Sequence, residues 1–261
     1  MSQIHRELPE FEEVTFGPRI HTYALVIPVI NEGERIRAQL RRIRAAVPRV
    51  DVIVADGGST DGSVDPSFLA EVGVRALLIK RGAGRLSAQL RMAYAWVLDQ
   101  GYSGVVTIDG NGKDGVEAID AFVARLKEGF DYVQGSRYAP GGKAVNTPLD
   151  RMIAGRLLHA PLLSLAGRRR YTDTTNGYRG YSARYLTDEH VSPFRDVFDR
   201  YSLLFYLTIR AGQLGYRTTE LPVTRVYPAD EVVPTKIHGL RGKLPLLMEM
   251  FSVALGRYHP R

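Results

Sequence analysis

The chain has 261 residues, of which 44% are hydrophobic and 24% charged, a balance that excludes wholesale disorder. It has no cysteine, which excludes disulfides and thiolate metal sites. Lys and Arg number 35 against 28 Asp and Glu, and the resulting net charge of +7 favours anionic partners. No apolar run reaches the roughly 18 residues of a membrane span and no signal peptide is apparent, so we expect a cytoplasmic protein.

Residues 22–138 alternate between strand-like and helix-like patterns with short links, as parallel βαβ units do. Apolar runs predict five strands, at 23–30, 50–55, 74–79, 104–108 and 132–134. Apolar residues at helical spacing predict four helices, at 33–47, 65–72, 86–98 and 115–128. We therefore predict an α/β fold with a mostly parallel sheet flanked by helices.

The remaining segments are less regular. Polar residues 1–21 are predicted to form an N-terminal arm, followed by a main domain at 22–226. The second half of this domain, 139–226, is predicted to contain helices at 149–165 and 201–214 and a strand at 217–226. Residues 227–261 are predicted to form a basic loop and then an amphipathic helix at 244–255.

Three acidic side chains, Glu32, Asp56 and Asp109, follow predicted strands in Gly-rich turns. Because parallel strands end at one edge of a sheet, we expect the three to lie close together. Carboxylates repel phosphate, so they would act through a metal ion or on sugar hydroxyls and base N–H groups. A sugar nucleotide offers all of these groups.

The loop after the fourth strand is rich in polar groups, with Asn111, Lys113 and Asp114 following Asp109. This composition indicates a site for a phosphate or a divalent cation. The structural alternative is a helix start, with Asp114 as its N-cap and Glu117 completing a capping box.

Basic residues in turns near the same edge could neutralise a pyrophosphate. They are Arg81, Arg85, Arg137, Arg179 and Lys236. Competing chemistries lack their motifs: there is no Gly-x-Gly-x-x-Gly after the first strand, no Walker A sequence, no metal-ligand spacing of histidines and no Gly-x-Ser-x-Gly.

Five motifs occur in the order found in family 2 glycosyltransferases. They are Val-Ile-Pro-Val-Ile-Asn-Glu, Val-Ala-Asp-Gly-Gly-Ser-Thr-Asp-Gly-Ser, Ile-Asp-Gly-Asn, Gly-Ser-Arg-Tyr and Thr-Asp-Thr-Thr-Asn-Gly-Tyr-Arg. Over about residues 22–240 the chain resembles this family, and within it the polyprenyl-phosphate glycosyltransferases, which include dolichol-phosphate mannose synthase. The resemblance implies a GT-A fold and inverting transfer of a hexose from a nucleotide diphosphate sugar, a UDP- or GDP-sugar. The implied acceptor is a polyprenyl phosphate.

The resemblance also implies roles for individual residues. It assigns the first half of the domain to the nucleotide sugar and the second to the acceptor. Donor binding falls on Pro28, Ile30, Glu32, Asp56, Gly84, Arg85, Asp109, Gly110, Asn111, Lys113 and Lys236. Catalytic roles fall on Asp109, Arg137, Asp173 and Arg179, the two arginines contacting donor or acceptor phosphate.

The implied cofactor is Mg²⁺ or Mn²⁺, with Asp109, Asn111 and Asp114 as candidate ligands. The chain departs from the family's Asp-x-Asp, since Asn111 replaces the second Asp and Lys113 adds a cation. Lower ligand charge weakens metal binding. Either Asp114 restores the metal site, or Lys113 partly replaces the metal.

The acceptor decides whether a general base is needed. A lipid phosphate is already an anion, whereas a hydroxyl would need a base such as Asp173 or Asp114. Asp173 as a turn residue is the structural alternative. A soluble hydroxyl acceptor, nucleotidyl transfer and sugar-nucleotide binding without transfer are alternative functions.

The tail determines the expected location. Its basic and apolar residues, Leu244 to Leu255 among them, could lie at the inner face of the membrane, or the helix could pack on the core or a partner subunit. We expect no nucleic-acid partner, and self-association is left open.

Overall fold

The structure, a computed structural model, describes residues 6–46, 48–228 and 239–260, with the backbone alone at 239–243. Its main sheet has eight strands in the order β1-β4-β3-β2-β5-β8-β6-β9. These strands are β1 (Phe11–Thr15), β2 (Tyr23–Val29), β3 (Asp51–Asp56), β4 (Val74–Lys80), β5 (Gly104–Thr107), β6 (Tyr132–Ser136), β8 (Arg179–Ser182) and β9 (Thr218–Pro222). A second sheet pairs β7 (Lys143–Val145) with β10 (Thr224–Val226) in parallel.

Helices connect and cover the strands. They are α1 (Glu34–Ala46), α2 (Pro66–Glu71), α3 (Leu86–Asp99), α4 (Ile119–Lys127), α5 (Leu149–Ala154), α6 (Ala160–Ala166), α7 (Ala183–Leu186), α8 (Ser202–Gln213) and α9 (Gly239–Ala254). A 3₁₀ turn (Val116–Ala118) precedes α4, and a π-helical turn (Gly155–His159) joins α5 to α6. No helix in the described ranges is long and apolar enough to cross a membrane.

The central strands are buried on both faces, because helices cover both sides of the sheet. Alternate side chains of a strand point to opposite sides. In β2, Ala24 and Val26 pack in one core with α3 and α8, whereas Leu25 and Ile27 pack in a second core with α1, α2 and α4. The nearly continuous apolar sequence of β2 thus reflects two hydrophobic layers. The predicted α/β class, with a mostly parallel sheet between helices, is confirmed.

Two predictions about the edges were wrong. Part of the predicted arm is strand β1, which pairs antiparallel with β4 and brings Phe11 against the core. The predicted strand at 217–226 is two strands separated by Val223, since β9 joins β6 while β10 turns away to pair with β7. In addition, β8 enters antiparallel between β5 and β6.

Candidate active site at the carboxyl ends of the central strands

Strands β2, β3 and β5 end side by side, with Asp56 as the last residue of β3 and Glu32 and Asp109 in the turns after β2 and β5. Val29 is in register with Asp56, and Val26 with Thr107. The shared edge predicted for these acids is therefore present. The surroundings of the three carboxylates differ.

The Asp56 carboxylate supports its own turn. It is 1% exposed and accepts hydrogen bonds from the backbone N–H groups of Gly58 at 3.0 Å and Ser59 at 3.0 Å and from the Ser59 hydroxyl at 2.5 Å. The neighbouring turn is tied to it, because the Asn31 side chain accepts from the Thr60 N–H at 2.8 Å. Asp56 thus fixes the turn after β3, which is hydrogen-bonded to the turn after β2.

Glu32 lies in the turn after β2. One of its carboxylate oxygens is 3.7 Å from a guanidinium nitrogen of Arg35 in the first turn of α1. Ile30, two residues earlier, is 37% exposed at the same edge. Glu32 and Ile30 lie at the end of the sheet where a base and ribose were predicted to bind. Asp56 is buried, so the prediction that its carboxylate contacts the donor directly was wrong.

Asp109 is held by three contacts that the sequence did not reveal. Its backbone carbonyl accepts from the Gln39 side chain at 3.0 Å, and the Gln39 carbonyl oxygen accepts from the Gly112 N–H at 2.9 Å. Gly177 backs the carboxylate so closely that a Cβ there would lie 2.2 Å from Asp109 Oδ1. Arg225 pairs with Oδ2 at 3.1 Å. The side chain of Asp109 remains 29% exposed.

Arg225, on β10, joins the two acids of the loop. Its Nη1 lies 2.5 Å from Asp114 Oδ2 while its Nη2 contacts Asp109, and Arg225 is 7% exposed. Burial alone would lower the pKa of Arg225, but Asp114 and Asp109 outweigh it and raise that pKa. Burial raises the pKa of Asp114 to about 6 against the attraction of Arg225. Sequence reasoning missed Arg225, whose only signal was a charge inside an apolar strand pattern.

The predicted metal ligands do not form a metal site in this arrangement. Asp114 is fully buried in its ion pair, so its assignment as a ligand was wrong. The Asn111 amide oxygen accepts from the Lys113 N–H at 3.2 Å. In the described part of the chain, no three His, Asp or Glu residues cluster as metal ligands would. Only Asp109 keeps an accessible carboxylate among the predicted set.

Arg137 and Asp173 form a buried bidentate pair. Arg137 Nε lies 2.7 Å from Asp173 Oδ2 and Nη2 lies 2.9 Å from Oδ1, with the side chains 5% and 1% exposed. Burial alone would raise the pKa of Asp173, but the hydrogen bonds and charge of Arg137 lower it. A carboxylate that is paired on both oxygens and harder to protonate is a poor general base. The prediction of Asp173 as a base was therefore wrong, and its role is to hold Arg137.

Arg179 is a core residue and does not face the site. It is 1% exposed and donates to the backbone carbonyls of Thr174, Asn176 and Leu204. The predicted phosphate contact of Arg179 was therefore wrong. Its position at the start of β8, facing α8, makes it the anchor of the loop that carries Gly177.

A wall of basic and aromatic side chains stands beside Asp109. Lys113, Arg151 and Arg225 lie 4.9, 5.8 and 5.7 Å from the ring centre of Tyr227. Arg137 and Arg156 lie 5.3 and 5.1 Å from the ring of Tyr138. Rings in such positions attract cations through their faces. Arg151, Arg156 and Tyr227 were not predicted, because their contacts are distant in sequence.

The positive field of this wall is visible in Tyr227. Burial alone would raise the pKa of its phenol, but Arg225, Arg137 and Arg151 outweigh burial and lower it. The pKa of Lys113 is lowered by burial and by Arg225. The wall is thus suited to an anion of more than one charge.

The other predicted donor residues are distributed along the edge. Gly84 has a φ of +97° and packs on α3, where a Cβ would lie 2.4 Å from that of Ala88. Arg85 is exposed and caps α3, its N–H bonded to Asp199 at 3.0 Å. A Cβ on Gly110 would lie 2.8 Å from the Pro28 carbonyl, so these two residues pack together. Lys236 lies outside the described residues.

Comparison with known proteins places the chain in a family. Residues 24–201 match the model of "Glycosyl transferase family 2". The chain is 33% identical over 206 residues to an undecaprenyl-phosphate mannosyltransferase of Micrococcus luteus, covering 77% of this chain and 82% of that one. It is 30% identical over 203 residues to the polyprenol monophosphomannose synthase of Mycolicibacterium smegmatis, covering 77% and 76%.

A solved structure with the same fold is glucosyl-3-phosphoglycerate synthase of Mycobacterium tuberculosis in complex with Mn²⁺, uridine diphosphate and phosphoglyceric acid. It superposes with a TM-score of 0.61 at 17% identity, covering 92% of this chain and 80% of that one. The predicted GT-A fold is confirmed. Since the family model spans most of the chain and relatives reach 30% identity or more, the protein belongs to glycosyltransferase family 2.

Proposed function

We propose that this glycosyltransferase moves a hexose from a nucleotide diphosphate sugar, a UDP- or GDP-sugar, to the phosphate of a polyprenyl phosphate. The observation that carries the proposal is the basic wall of Lys113, Arg137, Arg151, Arg156 and Arg225 beside Asp109. Two phosphate-bearing ligands meet in such a reaction, and a cationic wall neutralises both. The names of the bacterial relatives support a polyprenyl phosphate as acceptor.

The reaction would be an in-line displacement at the anomeric carbon. A phosphate oxygen of the acceptor forms the new bond to that carbon, while the bond to the donor diphosphate breaks and the nucleoside diphosphate leaves with its electron pair. The configuration inverts. An acceptor phosphate is already an anion at neutral pH, so no proton has to be removed. This agrees with Asp173 being paired with Arg137.

In this proposal the protein acts by positioning and by charge. Glu32 and the start of α3 at Arg85 hold base and ribose, beside the turn that Asp56 supports. Lys113 and the arginines of the wall stabilise the charge that develops on the departing diphosphate. Arg137, fixed by Asp173, faces the acceptor phosphate in a set orientation.

The divalent cation predicted from the sequence has a reduced place in this proposal. Of the predicted ligands only Asp109 offers an accessible carboxylate, and a single carboxylate makes a weak site. Within residues 6–46, 48–228 and 244–260 no group of three His, Asp or Glu side chains is assembled to hold Mg²⁺ or Mn²⁺, and no step above passes through one.

Two exposed apolar helix stripes support a membrane-bound acceptor. Leu149, Ile153, Leu157 and Leu165 follow one another at helical spacing along α5–α6, and Leu157 is 75% exposed. On α9 the exposed apolar residues are Leu244, Met248 and Phe251, and Leu255 directly follows the helix. The opposite faces of both helices pack on the core through Leu163, Leu246 and Leu247.

We propose that these stripes rest on the membrane surface, at its inner face. Single exposed apolar residues are common, but two contiguous stripes on neighbouring helices indicate an interface. Arg151 and Arg156 belong to the same helical segment and lie in the basic wall, so a lipid phosphate that enters from this surface would meet their positive charge.

A transfer assay tests the proposed reaction. UDP- and GDP-hexoses, labelled in the sugar, are incubated with polyprenyl phosphate, with the free polyprenol, or with neither. Label is expected in the lipid fraction with the phosphate alone. Transfer to the free polyprenol would reject the phosphate acceptor. Tight donor binding without any product would indicate a binding protein.

Co-sedimentation with anionic vesicles tests the membrane contact. The variant L157Q/L165Q is expected to lose at least about tenfold in vesicle affinity, because two leucine side chains would no longer enter the apolar layer. Val197 is 48% exposed but lies outside both stripes, so V197Q is the matched control. Equal binding of both variants would contradict the contact.

A further inference from the structure

Arg225 occupies the space between the two carboxylates of the acidic loop. One guanidinium nitrogen lies 3.1 Å from Asp109 and another 2.5 Å from Asp114. We propose that Arg225 replaces a divalent cation at this point, so that the loop binds no Mg²⁺ or Mn²⁺ and the donor diphosphate is held by side chains alone. The second part of this inference rests on the proposed function, whereas the first part does not.

The position of Arg225 is fixed by the loop that it neutralises. On one side of it, the Val226 N–H donates to the Lys113 carbonyl at 2.9 Å. On the other, the Thr224 carbonyl accepts from the Gly115 N–H at 3.0 Å. Arg225 and Asp114 are therefore partners in an antiparallel bridge as well as in an ion pair. The backbone of β10 therefore cannot move away from the acidic loop without breaking these two hydrogen bonds.

Burial keeps the guanidinium in place. The side chain of Arg225 is 8% exposed and that of Asp114 is fully buried. Removing one partner of a buried ion pair leaves an uncompensated charge, which is strongly unfavourable. A metal ion could enter between Asp109 and Asp114 only by displacing Arg225 at that cost.

The charges balance without a metal. Asp109 and Asp114 contribute two negative charges, and Arg225 and Lys113 contribute two positive ones. Lys113 is close to this group, since it lies against the same ring, Tyr227, as Arg225. Arg151 lies against the same ring and adds positive charge beside this group. A diphosphate that binds here meets a positive surface that neutralises its charge. In a more acidic loop a divalent cation would neutralise it.

Titration of Mn²⁺ into the full chain, followed by the electron paramagnetic resonance signal of free Mn²⁺, tests the first part. The wild-type protein is expected to leave the signal of the free ion unchanged. The variant R225Q is expected to bind Mn²⁺ at least about tenfold more tightly, equivalent to 1.4 kcal/mol, because two carboxylates lose their cation. Adding D109N should abolish the gain. R217Q, a change of equal charge at an exposed arginine, should behave as wild type.

The Mn²⁺ titration of the wild-type protein tests the first part of the proposal even if R225Q does not fold. Stoichiometric binding of Mn²⁺ by wild type that D109N abolishes would overturn the proposal. The second part is tested by the thermal shift that UDP and GDP produce in EDTA and in Mn²⁺. Equal shifts in both support it, and a shift in Mn²⁺ alone overturns it. Absence of any shift in either would reject the proposed donor class and leave the Mn²⁺ result standing.

Discussion

Residue 177 lacks a side chain because the Asp109 carboxylate occupies the space where one would stand. A Cβ built on Gly177 lies 2.2 Å from Asp109 Oδ1, which no pair of atoms tolerates. G177A should therefore displace the carboxylate while adding only a methyl group. We expect kcat/KM to fall by at least about tenfold, or 1.4 kcal/mol of transition-state stabilisation.

The control for this prediction is another glycine. Nothing lies within 4 Å of a Cβ built on Gly17, so G17A should retain full activity. Steady-state kinetics of both variants, with circular dichroism to establish that each is folded, provide the measurement. Full activity of G177A would show that the exact position of Asp109 does not matter for catalysis.

The Arg137–Asp173 pair is predicted to be structural as well as functional. D173N leaves the Arg137 guanidinium buried without its counter-ion and should lower the free energy of unfolding by about 3 kcal/mol. Because the pKa of Asp173 is lowered, its contribution to stability is present above the ordinary value of an aspartate and is lost as pH falls below it. Urea unfolding at neutral pH measures the effect of the substitution.

An exposed pair supplies the comparison. Arg125 and Glu128 are 2.7 Å apart with side chains 43% and 49% exposed, so E128Q should cost less than about 1 kcal/mol. If D173N instead kept its full stability and lost kcat, Asp173 would be the general base that the sequence suggested.

At the scale of an element, the α5–α6 segment contains a buried titratable group. His159 ends the π-helical turn, is 7% exposed and lies 6.2 Å from the ring of Phe205. Burial lowers its pKa. A histidine of this kind contributes stability that is present above its unfolded value, about 6.5, and is lost as pH falls below it.

We therefore predict that H159F weakens the dependence of stability on pH. Phe also has an aromatic ring but no group that titrates. The variant should therefore lose less free energy of unfolding than wild type between pH 7.5 and 5. His259, whose pKa is also lowered by burial, is present in both and cancels. H190Q, at an exposed histidine, should follow the wild-type curve. Parallel curves for wild type and H159F would refute the prediction.

The elements differ in how well they could be predicted from the sequence. β2, β3 and β5 carry apolar runs that end in a turn, so both the strands and the acids after them were predictable. Arg225 is separated from Asp109 by 116 residues, and no local pattern reveals that they meet. Arg179 and Arg137 look alike in sequence, each in a Gly-rich turn beside an aromatic residue. Tertiary packing alone places Arg179 in the core.

At the scale of the whole molecule, one continuous sheet contains strands from both of the predicted halves, 22–138 and 139–226. β8, from the second half, pairs with β5 and β6 of the first, and β9 pairs with β6 on its other side. The core behind β2 contains residues of α3 together with residues of α8. Each half therefore leaves a strand edge and an apolar face unpaired when taken alone.

This continuity predicts one cooperative unfolding transition. The single tryptophan, Trp96, is buried in α3 within the first half, so its fluorescence reports on that half, whereas far-ultraviolet circular dichroism reports on all helices. The two signals should give the same urea midpoint and slope. Expressed alone, residues 22–138 should fail to fold, since β5 and β6 lose β8. A Trp96 transition at a urea concentration different from that of the helices would mean that the halves are independent domains joined by β8.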